Sequence, residues 1–136
     1  MRWDEAVAAP KAAELREFWT ERRVCVLSTV RPDGRPHSVA VGATVDFGTA
    51  VARVIASAAS VKVANVRAAG RDGAPVTVTQ VDGGRWSSVQ GRAWVRDDPD
   101  SVADAERRYA QRYRVPRPNP QRVVIEIRVV AVLGRY

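Results

Sequence analysis

The sequence predicts a mainly β protein: a six-stranded antiparallel barrel, closed or nearly so, with short flanking helices. Three observations lead there. Six extended, valine-rich segments are joined mostly by tight turns containing Gly, Asp or Pro. Helices are spliced in too rarely to give each strand the crossover that a parallel sheet requires. The fifth segment sets Val89, Gly91, Ala93 and Val95 on one side, small and apolar enough to fill a narrow interior. A chain of 136 residues has length for one domain, residues 1–136, with one core.

The elements follow in order. Pro10 opens an amphipathic N-terminal helix of about three turns, with Leu15, Phe18 and Trp19 at helical spacing. From Val24 the period changes to two, giving a strand to Val30, the turn Arg31-Pro32-Asp33-Gly34, and a second strand from Arg35 to Val45. Asp46 to Thr49 separates this from a third strand, Ala50 to Ala56. A short helix starts at Ser60 and runs to about Ala69. Arg71-Asp72-Gly73 turns into a fourth strand, Pro75 to Val81, and Asp82-Gly83-Gly84 into a fifth, Arg85 to Arg96. Asp98-Pro99 opens a longer helix through Tyr113, with Val102, Ala105 and Tyr109 along one face. A proline-rich loop, Arg114 to Pro120, leads to the last strand, Gln121 to Leu133. Trp86 and Trp94 fall on the outward side of the fifth strand. Such a pair marks an interface, although Trp94 equally suits packing under the helix from Asp98.

Composition narrows the function. The net charge is +7 and the isoelectric point about 10.7, but the arginines are scattered and no nucleic-acid-binding motif accompanies them, so an anionic small molecule suits the balance better than a nucleic acid. There is no apolar run of about 18 residues and no leader pattern, which places the protein in the cytoplasm with no membrane contact. One cysteine and one histidine leave no credible metal or Cys-His site. Cys25 reads as a buried strand residue and His37 as structural. No catalytic side chain stands out, and a cofactor would carry the hard step of any reaction.

One place draws an anion. Lys62, one of only two lysines, lies where a strand passes into a helix. Ser60 is a good N-cap, so Val61 and Lys62 fall in the first turn, whose free N–H groups and positive dipole end favour a phosphate.

The segment Arg31-Pro32-Asp33-Gly34-Arg35-Pro36-His37, the Ser60/Lys62/Asn65 helix start, Gln80-Val81-Asp82-Gly83-Gly84-Arg85-Trp86 and the long stretch from Arg107 to Glu126 resemble the split β-barrel superfamily of pyridoxamine 5′-phosphate oxidase-like flavin and deazaflavin proteins. Within it, the chain is most similar to the actinobacterial branch that uses coenzyme F-420. The likeness covers Val24 to Gly134. It implies a homodimer with cofactor sites at the subunit interface, and hydride transfer from the reduced deazaflavin to a conjugated substrate, biliverdin or a related unsaturated compound. Under that resemblance Ser57, Ser60 and Lys62 hold the phosphate and Asn65 braces the turn. Backbone of Val39 to Val41 and of Ile55, Ala56 and Ser57 lines the ring, and Gln80 and Trp86 of the partner subunit cover it. Arg53, Arg112, Arg114 and Arg117 face carboxylates of the cofactor tail or substrate. The Ser60-Val61-Lys62 run lacks the middle cation of the Ser-Arg-Lys pattern in pyridoxamine oxidases, which favours coenzyme F-420 over FMN. An FMN-binding oxidase or reductase, and a non-catalytic flavin- or tetrapyrrole-binding protein, remain the alternatives.

Overall fold

The computed structural model describes all residues, Met1–Tyr136. Two N-terminal helices, α1 (Trp3–Ala8) and α2 (Ala12–Thr20), precede strands β1 (Cys25–Val30), β2 (Pro36–Val41), β3 (Ala43–Asp46) and β4 (Val51–Ser57). Helix α3 (Val61–Ala68) and a single 3₁₀ turn (Gly70–Asp72) lead to β5 (Ala74–Asp82) and β6 (Arg85–Arg96), then α4 (Pro99–Arg112) and β7 (Arg122–Arg135). All seven strands form one antiparallel sheet in the order β2-β1-β5-β6-β7-β4-β3.

The expected second strand, Arg35 to Val45, is therefore two strands, and the count is seven rather than six. Gly42 is the reason. β2 and β3 are the two edges of the sheet, yet only this residue separates them. Edges joined by one residue stand within about 7 Å of each other, so the sheet has to curl into a barrel. A Cβ on Gly42 would lie 2.5 Å from Cε2 of Tyr109, so only glycine passes this corner beneath α4. Gly91 serves the curl differently. It follows a register shift against β7, and a Cβ there would run into the Arg128 carbonyl.

Inside the barrel Leu27, Val54, Val78, Val89, Ile125 and Ile127 are fully buried. The N-terminal segment also differs from expectation, because Pro10 lies in the turn between two helices rather than opening one. Leu15, Phe18 and Trp19 of α2 are buried, and the Trp19 indole donates to Ser87 Oγ at 3.0 Å, so this helix plugs the barrel. At the other end α3 buries Val63 and Val66. Helix α4, capped by the Asp98 carboxylate on the Ser101 amide, lies over β3, β4 and β7. The outward residues of β1, β5 and β6 stay uncovered, leaving Val26, Val30, Val81 and Trp86 exposed. The Trp94 ring rests over Gly73 and its N–H donates to the Arg71 carbonyl at 2.8 Å. No helix is long and apolar enough to cross a membrane.

Candidate functional site

The β3–β4 ladder ends at Ala43↔Val54, after which the neighbouring strand leaves to pair with β1. Val39 to Val41 and Ile55 to Ser57 are thus the two lips of a split in the barrel wall. Edge backbone on both lips is free of ladder partners on the split side. The end of α4 stands over the mouth, where a cleft of about 570 Å³ is lined by Arg22, Ala40, Val41, Gly42, Tyr109 and Arg114, among others. Tyr109 and Tyr113 lean on each other with ring centroids 4.9 Å apart.

Tyr113 is fixed from three sides. Its hydroxyl donates to the Arg23 carbonyl at 2.7 Å and accepts from the Ala43 amide at 3.2 Å. Burial, reinforced by Cys25, pushes the phenol far above its ordinary value, so the group stays protonated. It anchors the helix end.

From Tyr113 the proline-rich loop runs to the other side of the split. There Asn119 donates to Ser57 Oγ at 2.8 Å, and the Ala58 amide donates to the Gln121 carbonyl at 2.8 Å. Ser60 occupies the N-cap position of α3, but its hydroxyl turns back to the Ser57 carbonyl at 2.7 Å and makes no cap bond. The first N–H groups of the helix are therefore left without a side-chain acceptor. Lys62, half-buried in that first turn, forms no ion pair or side-chain hydrogen bond. Ser57 and Ser60 are joined by that bond, Asn119 joins them through Ser57, and Lys62 follows in the first turn of the helix. Nothing in the sequence marked Asn119 beyond its place in the loop.

Other candidates are engaged elsewhere. Asn65 is buried and donates to Thr29 Oγ1 at 3.0 Å, so it ties α3 to the barrel interior instead of bracing the turn. Gln80 is 1 % exposed. It donates to the Phe18 carbonyl and accepts from Arg112, which leaves no group free to cover a ring in a second subunit. Arg112 is also internal, bonded to the Glu21 and Ala43 carbonyls as well. Arg53 lies under α4 beside Asp104 at 3.6 Å. Arg114 lines the cleft, Arg117 is exposed on the loop, and Trp86 stands on the uncovered sheet face. Sequence reasoning missed Arg22 and saw Tyr109 only as part of a helix face.

The description "Pyridoxamine 5'-phosphate oxidase" fits residues 12–136. The chain belongs to the pyridoxamine 5′-phosphate oxidase family. Within that family, a curated relative is the F-420H(2)-dependent biliverdin reductase of Mycobacterium tuberculosis (strain CDC 1551 / Oshkosh), 55% identical over 117 residues, which are 86% of this chain and 82% of the relative. Among solved structures, an F-420 reductase superposes with a TM-score of 0.69 at 24% identity, covering 87% of this chain and 94% of its own. A conserved hypothetical protein of Mycobacterium tuberculosis does so with a TM-score of 0.73 at 25% identity, covering 90% and 82%. The split barrel is common to them, and the family member described here keeps its opening where the ladder between β3 and β4 ends.

Proposed function

We propose that this chain is an F-420H2-dependent reductase that delivers a hydride to a conjugated acceptor, with biliverdin as the leading substrate. The observation that carries this reading is the 55% identity, over most of both chains, to a relative bearing that activity in its name. The residues present suit the cofactor. Lys62 is a cation without a partner in a helix turn whose N–H groups lack a cap, a setting that favours a phosphate. When bound, the reduced deazaflavin supplies the hydride.

The chain's own residues bind and orient. Ser57, Ser60 and Lys62 take the phosphate, with Asn119 holding the Ser57 hydroxyl. Small side chains at Ala40 and Gly42 and on the opposite lip at Ala56 let a flat ring approach the edge backbone. Tyr109 and Tyr113 wall the mouth against water. Val61 between the serine and the lysine supplies no second cation, which favours the deazaflavin over FMN.

The protein acts as a homodimer in this reading. Support comes from the uncovered face of β1, β5 and β6, where Val26, Val30, Val81 and Trp86 sit together among short Ser and Thr side chains. The single buried, unbridged Cys25 suits a reducing cytoplasm. Mixing the protein with reduced coenzyme F-420 and biliverdin tests the activity by absorbance. Loss of both the reduced cofactor and the biliverdin band is expected; an unchanged spectrum with bound cofactor rejects the reductase.

A further inference from the structure

We propose that the cleft at the end of α4 is a carboxylate-recognition site, in which Arg22 and Arg114 grip acidic groups of a planar molecule that lies against Tyr109. The proposal rests on the reductase reading, since it assigns the acid-bearing part of that reading's ligands to named side chains.

The argument starts from unspent charge. Most of the arginines near this end of the barrel are already bound. Arg23 pairs with Glu21 and Asp82 over the Phe18 ring, Arg85 pairs with Asp82 and Glu21, and Arg108 pairs with Asp104 and Asp46. Arg112 is 8 % exposed and bonded to carbonyls. Arg22 and Arg114 are exposed, line the same cleft, and form no ion pair or side-chain hydrogen bond. Two cations facing one concave surface raise its potential and draw anions.

The same cleft also presents flat aromatic surface. Gly42 has no side chain, so the Tyr109 ring lies across the strand corner, braced by Tyr113 at 4.9 Å between centroids. The Tyr109 hydroxyl has no partner within the molecule. A planar conjugated ligand gains stacking area there, and the guanidinium forks of the same cleft match carboxylates.

Two sources supply such carboxylates: the glutamate tail of the cofactor and the propionates of a linear tetrapyrrole. Equilibrium binding, read by tryptophan quenching and by calorimetry, separates them with two pairs of probes. One pair is the deazaflavin with and without its glutamate tail; the other is biliverdin and its dimethyl ester. Wild type is expected to prefer the acid member of one pair by about tenfold or more at low salt, a preference that falls as salt is raised. The double variant Arg22→Gln/Arg114→Gln is expected to lose that preference while binding the neutral member within about threefold of wild type. Preference within the deazaflavin pair assigns the tail, and preference within the biliverdin pair assigns the substrate. No preference in wild type, or one that survives in the double variant, overturns the proposal. Hydride transfer to biliverdin that persists alongside such a result leaves the reductase standing alone. Loss of hydride transfer with the preference intact removes the reductase and leaves the cleft assignment.

Discussion

Arg112 donates to Gln80 Oε1 at 2.6 Å inside the molecule, with no carboxylate beside either residue. The guanidinium is neutralised by dipoles instead: the Ala43 carbonyl at 2.6 Å, the Glu21 carbonyl at 2.9 Å, and the faces of Trp19 and Tyr113. One side chain from α4 thus holds together the end of α2, the corner at β3 and the strand β5.

Arg112→Met should destabilise the protein by about 3 kcal/mol, because it strands several buried acceptors at once. Urea unfolding followed by tryptophan fluorescence measures this. A loss below about 1 kcal/mol would mean that water replaces the guanidinium and that the network is not a structural tie.

Lys62→Ala should weaken cofactor binding by about 1.5 to 3 kcal/mol, the range of a hydrogen bond to a charged group. Its effect on folding should stay within about 0.5 kcal/mol, since the ammonium has no partner in the protein. Unchanged affinity in a calorimetric titration would take Lys62 out of the site.

Gly42→Ala pushes against the Tyr109 ring, whose Cε2 stands 2.5 Å from the new methyl position. Because Tyr109 lines the cleft, a displaced ring disturbs it, so ligand affinity should fall about tenfold while stability drops by about 1 to 3 kcal/mol. Adding Tyr109→Ala should recover most of the stability but not the affinity. A double variant as unstable as the single one would show that the clash lies with the backbone.

Acid should loosen the seat of α4. Burial alone raises the Asp104 carboxyl, but the Arg108 hydrogen bond and the charges of Arg108, Arg53 and Arg107 outweigh it and hold the group below its ordinary value. A folded value below the unfolded one gives a stabilisation that is complete above about pH 4 and is lost as pH falls through the folded value. Asp104→Asn should therefore be less stable than wild type near about pH 6 and converge with it as pH falls through the folded value of Asp104. Parallel curves in urea unfolding would exclude this role for Asp104.

Val26→Arg places a charge on the uncovered face next to Thr79. If the proposed homodimer forms through this face, sedimentation should report a dimer for wild type and a monomer for the variant, with cofactor affinity reduced as well. A wild type that sediments as a monomer ends the dimer reading.

Much of the barrel can be read from the sequence because its hairpins are local. Arg31 to Gly34 and Asp82 to Gly84 turn where glycine and aspartate permit, and alternation sets which residues of β1 and β6 face inward. The break at Gly42 is not local. It depends on where Tyr109, a residue far along the chain, comes to rest, and a glycine within an alternating run carries no mark of that. The helix start at Ser60, which carries the proposed anion turn, was readable since a helix start has its own residue signature. Charge identity is visible in sequence and burial is not, so Arg112 and Arg22 look alike there. Only packing shows that the first is spent inside the protein and the second is free.

Strand β7 is clasped by β6 on one side and by β4 on the other, and the Met1 carbonyl also takes a hydrogen bond from it. During synthesis β4 leaves the ribosome long before the partner that completes it. Its open edge therefore waits through the making of α3, β5, β6 and α4. A nascent chain stalled in that interval displays two unfinished strand edges at once, the condition under which chaperones are most needed and aggregates nucleate.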